Sequence, residues 1–347
     1  MKRMTVDRLR AGSLGAALGA VAFLSVISTP AQAAAAASAR CGVSATGGMK
    51  TVAIRSGGRV REFKVYLPGS YTGRQAIPLV FDLHGSSGSG DAQALNSSFE
   101  KTAEKHGFAV AWPDGGISLP TAPQEHYWNI YGLPLTGNRP IPADAPNDVQ
   151  FFSDAIDQLA SQFCLDTARV YSAGHSGGAR MSSVLACQLS DRIAAVAPVV
   201  GLRAGMPLKS DPSRPDPESC KPSRAMPIIT FHGTDDRTNP YKGGGNEYWQ
   251  YSVETAVSSW AALNGCRPAP VVTKVAEHVE RRRFEGCRSG VVVEFNRIDA
   301  PQSAGGGHTW PGSTRRLPPR EGAEPNLPST EINASERIWE FFSQYHL

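Results

Sequence analysis

Short apolar runs at residues 63–67, 77–83, 108–112, 169–173, 194–200, 226–231 and 291–298 read as buried strands, and patterns with helical spacing at 92–106, 148–163, 181–189, 253–263 and 334–345 fall between several of them. Strands that are apolar on both sides need cover on both faces. Their alternation with helices therefore predicts an α/β fold, a mostly parallel sheet with helices on both faces. In such sheets ligands sit beyond the carboxyl ends of the strands, so the loops there carry the chemistry.

The amino terminus reads differently. Lys2, Arg3, Arg8 and Arg10 precede an apolar stretch at 11–27 that ends in Ala31-Gln32-Ala33, the layout of a cleaved signal peptide. The stretch is shorter than the roughly 20 residues of a spanning helix, so no membrane anchor is expected. Residues 1–33 are thus read as leader and 34–347 as a single catalytic domain, secreted and extracellular. The formal charge of +4 owes most to the leader, and the near-neutral remainder argues against a nucleic-acid partner. Six cysteines in an exported chain predict disulfides. Cys266 with Cys287 is the expected pair, since they flank one short excursion, and the other pairings stay open.

Three apolar runs end in unusual loops: His84-Gly85-Ser86-Ser87-Gly88, Gly174-His175-Ser176-Gly177-Gly178 and His232-Gly233-Thr234-Asp235-Asp236. The second is a G-x-S-x-G between a strand pattern and a helix pattern, the context of a nucleophile elbow. Small residues on both sides of Ser176 permit a tight turn that presents its hydroxyl. A serine hydroxyl is a weak nucleophile and needs a base, and in elbow enzymes the chain order is serine, acid, histidine. His308, within Gly305-Gly306-Gly307-His308-Thr309-Trp310-Pro311-Gly312, follows the 291–298 strand and fits that order. Asp235 and Asp236 both end a neighbouring strand, and the pattern alone does not separate them. The oxyanion donors expected for this arrangement are the backbone N–H groups of Gly177 and Ser86. Asn147 is read as a helix N-cap.

These motifs resemble those of extracellular esterases grouped with polyhydroxybutyrate depolymerases and the feruloyl esterases of bacteria and fungi. The resemblance rests on Pro78 to Gly85, Arg169 to Met181, His232 to Asp236, Pro240-Tyr241 and the Gly305 to Gly312 segment. It implies an α/β-hydrolase fold and cofactor-free, metal-free ester hydrolysis, with Ser176 as nucleophile, His308 as base and Asp236 as acid. Asp235 departs from the small residue often found there, and a second carboxylate beside the acid is a reason for one of the two to titrate high. The implied substrates are feruloyl or acetyl esters of polysaccharide such as xylan, or a polyester, with the protein acting as a monomer. A non-catalytic binding protein on the same scaffold is the alternative of another class. Trp128 and Trp310 are candidates to line an acyl or sugar site. The segments 115–146 and 202–225, rich in Pro, Gly and charge, are expected as surface loops framing the site.

Overall fold

The computed structural model describes residues 41–42, 46–130, 132–316 and 323–347; the predicted leader lies outside them. The strands are β1 (Gly48–Ser56), β2 (Arg59–Leu67), β3 (Ile77–Leu83), β4 (Ala109–Trp112), β5 (Ile117–Leu119), β6 (Ala122–Tyr127), β7 (Leu165–His175), β8 (Ala195–Val199), β9 (Pro207–Leu208), β10 (Asp211–Pro215), β11 (Ile228–Gly233), β12 (Val271–Lys274), β13 (Val279–Phe284) and β14 (Val293–Ile298). Ten of these form one sheet in the order β1-β2-β4-β3-β7-β8-β11-β14-β13-β12. From β4 to β14 neighbours run parallel, and antiparallel pairs close both ends. Each predicted apolar run is a strand of this sheet.

The helices are α1 (Gly90–Ser97), α2 (Phe99–His106), α3 (Asp148–Gln162), α4 (Gly177–Gln188), α5 (Val253–Leu263) and α6 (Ala334–Phe342). Along β3 the side chains alternate: Leu79, Phe81 and Leu83 join one apolar cluster with Phe152, Leu185 and Trp260, while Val80 joins the other with Phe99, Tyr171 and Phe342. The period of two of an extended chain thus feeds two cores, one under α3, α4 and α5 and one under α1, α2 and α6. Among the described residues no helix is long and apolar enough to cross a membrane.

Local chemistry sets the helix ends. Asn147 Oδ1 accepts from Gln150 N at 3.1 Å at the start of α3, the N-cap read from the sequence. The pattern at 92–106 is not one helix but two, broken at Ser98, which adopts φ 51°. The break has a partner in the core. Ser97 Oγ donates to the buried Asp82 carboxylate at 2.6 Å, and Gln93 Nε2 and Trp112 Nε1 donate to it at 2.7 and 2.9 Å. A continuous helix would not bring Ser97 onto that carboxylate while freeing its carbonyl, which accepts from Ser335 Oγ at 2.7 Å.

Disulfides join Cys41 to Cys164, Cys187 to Cys220 and, as expected, Cys266 to Cys287. Bonds of this kind persist in oxidising compartments. The segments 115–146 and 202–225 are not plain loops: each holds a hairpin, β5 with β6 and β9 with β10. The buried Asp148 carboxylate ties the first of them down, accepting from Asn129 N at 2.7 Å and Gly116 N at 3.2 Å while pairing with Arg61 at 2.5 Å.

Candidate active site

Ser176 stands between β7 and α4 at φ 56°, ψ −109°, a backbone state that costs a side-chain-bearing residue about 1–3 kcal/mol. The surroundings enforce it. Ser176 N donates to Val199 O at 2.9 Å, and a Cβ on Gly178 would lie 2.2 Å from Leu83 O, so glycine is required where α4 crosses β3. The sharp turn leaves the serine at the carboxyl end of the sheet.

His308 hangs from the loop after β14. Its Nδ1–H donates to Asp236 Oδ2 at 2.7 Å, which leaves Nε2 as the acceptor. A Cβ on Gly306 would meet Ala300 O at 1.6 Å, so the glycines before the histidine let this loop thread against its neighbour. The ring of His308 packs against that of His175, the residue before Ser176, with centroids 5.0 Å apart. Burial lowers the His175 pKa to about 3, so that neighbour stays neutral and does not compete as a base.

The geometry separates the two aspartates. Asp236 is buried, and its Oδ1 accepts from Thr238 N and Asn239 N, both at 2.8 Å. Burial by itself would raise its pKa, but His308 and His232 outweigh this and hold it well below the carboxylate range. Asp235 turns outward to Arg237 at 3.1 Å and accepts from Gln302 N at 2.9 Å. That backbone bond and Arg237 lower its pKa as well, so neither aspartate titrates high as the adjacent charge had suggested.

One partner was missed from the sequence. His232, buried at the end of β11, points Nε2 at Asn239 O at 2.9 Å and at Asp236 Oδ2 at 3.3 Å. Two acceptors on one nitrogen assign the hydrogen there and leave Nδ1 without a partner. The sequence showed a histidine at a strand end four residues before the acid, the only signal available.

Gly177 and Ser86 come together as expected. A Cβ on Gly177 would lie 2.7 Å from Ser86 N, so the backbones of the two residues lie side by side. The loop carrying Ser86 is braced by His84, whose Nδ1–H donates to Gly85 O at 2.7 Å while Nε2 accepts from Gly115 N at 2.8 Å. Burial lowers the His84 pKa to about 4, which keeps this neutral tautomer.

Both tryptophans are buried, and Trp128 lines a narrow gap that reaches Ser86 and Gly177. Trp310 is 1 % exposed; it packs edge-on against Phe99 and donates Nε1–H to Ser335 Oγ at 3.1 Å. It anchors the His308 loop. Trp128 is 4 % exposed, lies over His84 and donates to His84 O at 2.8 Å, so it supports the oxyanion loop from beneath. Both rings bury an indole N–H that needs a fixed acceptor, and that need drew them into the protein. A groove of about 800 Å³, lined by Ser86, His175, Thr238, Gln302 and Arg315 among others, opens onto His308. Among the described residues Glu277, His278 and Glu331 have metal-ligand spacing, but they lie outside this groove, the first two at the β12–β13 turn and Glu331 just before α6, where it accepts from His278 Nδ1–H at 2.6 Å.

The family model described as Esterase PHB depolymerase matches residues 61–213. Feruloyl esterase B of Piromyces equi is 33% identical over 254 residues, covering 72% of this chain and 42% of that longer protein. Feruloyl esterase D of Neurospora crassa is 26% identical over 325 residues, 91% of this chain and 93% of that one. Among solved structures, the acetyl xylan esterase from Aspergillus awamori superposes with a TM-score of 0.59 at 16% identity, covering 86% of this chain and 99% of that chain, and so shares the α/β-hydrolase fold. The chain spans less than half the length of the first of these relatives.

Proposed function

We propose that this chain, which belongs to the esterase family described by the PHB depolymerase model and its feruloyl and acetylxylan esterase relatives, is a secreted serine esterase that cleaves carboxylic esters through an acyl-enzyme on Ser176. The observation that carries this reading is the His308–Asp236 contact at 2.7 Å, on a loop whose histidine packs against His175 next to the elbow serine. Ser176 Oγ attacks the ester carbonyl carbon and passes its proton to His308 Nε2, while Asp236 stabilises the imidazolium. The oxyanion forms between the N–H groups of Ser86 and Gly177. The carbon–oxygen bond then breaks, His308 protonates the leaving alcohol, and water activated by His308 releases the acid.

The relatives' names support feruloyl or acetyl esters of plant polysaccharide such as xylan as substrates, and the family model supports a polyester as the second reading. The apolar leader in the sequence and the disulfides support secretion. Hydrolysis of methyl ferulate, acetylated xylan and hydroxybutyrate oligomers, measured side by side with Ser176→Ala as control, tests the proposal. A serine-dependent turnover of the first or second is expected; turnover of none of them, or turnover unchanged in Ser176→Ala, would overturn it.

A further inference from the structure

Behind the Ser86 loop lie two arginines that, among the described residues, have no acid beside them. Arg180, in the first turn of α4, is 5 % exposed, and Arg203, in the segment after β8, is 4 % exposed. Arg180 Nη2 donates to Ser86 Oγ at 3.0 Å and its guanidinium lies 3.9 Å over the Tyr248 ring, but its Nε has no partner. Arg203 donates from Nε to Leu202 O at 2.6 Å and from Nη1 to Tyr251 O at 2.7 Å, and it lies 3.5 Å over the Trp249 ring. Its Nη2 is unpartnered as well. Burial lowers both pKa values only to about 10, so both stay charged, and no carboxylate acts to raise either one. The charge of Arg180 lowers the pKa of Arg203, which places the two within electrostatic reach of each other. Taking an ion out of water costs several kcal/mol, and an uncompensated pair of like charge is the expensive case.

Both arginines line a cavity of about 230 Å³ whose other walls include Ile130, Leu133, Val184 and Met206. The acid on its rim, Glu218, is committed to Lys221. Ile130, Leu133 and Arg180 also line a narrow gap that reaches Ser86 and Gly177, so the cavity abuts the oxyanion donors.

We propose that this cavity binds a carboxylate carried on a short apolar body, with the acid group held by the guanidiniums of Arg180 and Arg203. The planar fork of a guanidinium matches the two oxygens of a carboxylate. The apolar walls favour an aliphatic or aromatic acid over inorganic phosphate or a sugar. Such a group has two sources. It is the far end of the acyl part of a half-ester whose near carbonyl meets Ser176, a source that rests on the esterase reading, or it is a free acid.

Calorimetric titration of Ser176→Ala protein with glutarate and with benzoate tests the site without requiring turnover. Saturable binding that weakens as salt is raised is expected, and it should fall at least about tenfold in Arg203→Gln. Because that change also removes bonds to two backbone carbonyls, Val184→Glu is the second variant: it keeps both arginines and supplies a competing carboxylate from the wall. No binding of either acid, or equal affinity in both variants, overturns the proposal. In protein with Ser176 intact, the ratio of kcat/KM for the p-nitrophenyl half-ester of glutaric acid to that for p-nitrophenyl butyrate separates the sources. A ratio about tenfold lower in Val184→Glu assigns the acyl source, and an unchanged ratio with glutarate binding lost assigns the free acid. Glutarate binding in a protein that hydrolyses no ester would sink the esterase reading and leave this site standing.

Discussion

Replacing Asp236 by asparagine removes one charge and no volume, and its consequence follows from the four contacts that the carboxylate makes. Oδ1 accepts from Thr238 N and Asn239 N at 2.8 Å, so an asparagine must place its carbonyl oxygen there and turn its NH₂ toward His308. At 2.7 Å from His308 Nδ1, that NH₂ demands an acceptor. The imidazole answers by moving its hydrogen to Nε2, which then cannot take the proton of Ser176. Tautomer reversal in a serine triad costs about 10³–10⁴-fold in kcat, or about 4–5.5 kcal/mol of transition-state stabilisation. Asp235→Asn removes only the contacts to Arg237 and Gln302 N. These contacts are partly exposed and do not touch His308, so kcat should change by less than about threefold. Initial rates on p-nitrophenyl acetate, with thermal unfolding to confirm that both variants are folded, measure the difference. A loss below tenfold in Asp236→Asn, or a greater loss in Asp235→Asn, would refute the assignment.

Other consequences are open to measurement. His84 and His175 are neutral when folded, with pKa values of about 4 and about 3, whereas in the unfolded chain they take a proton near pH 6.5. The unfolded state therefore binds more protons as pH falls, and each histidine should remove about 2–3 kcal/mol of stability between pH 6.5 and 4.5; a midpoint of urea unfolding that does not move over this range contradicts their burial as neutral groups. Trp310→Phe should lower stability by about 1 kcal/mol, through the lost bond to Ser335, while leaving the preference between aryl and acetyl esters unchanged. A shift in that preference would return Trp310 to the substrate site. Cys41→Ala opens a loop of 123 residues and should cost about 3–5 kcal/mol, read as a lower denaturation midpoint.

The sheet was legible because its strands are buried on both faces, which writes them as apolar runs such as 77–83. β1 escaped notice: it buries only Val52 and Ile54, so it leaves little apolar signal. The break at Ser98 answers to Asp82, a buried carboxylate far from α1 in local pattern, and no periodicity within 92–106 encodes it. At the site, Ser176, His308, Ser86 and Gly177 could be placed because each follows a strand and the chain order is constrained. Asp236 could not be parted from Asp235 by pattern, since both end the same strand; which way each carboxylate turns is decided by Thr238 N, Asn239 N and Gln302 N. Trp310 misled because an aromatic residue near a loop of this kind reads alike whether it faces substrate or holds the loop from behind. The buried arginines carried no sequence signal, as charge in a helix start or a loop is usually solvated.

The central claim is a covalent acyl group on Ser176. Rapid mixing with p-nitrophenyl acetate, acid quenching and mass measurement of the peptide containing residue 176 tests it directly. The account predicts a burst of nitrophenol matched by an acetyl group on Ser176, with both absent in Ser176→Ala. Hydrolysis that leaves this peptide unmodified, or that places the acyl group on another residue, would contradict it.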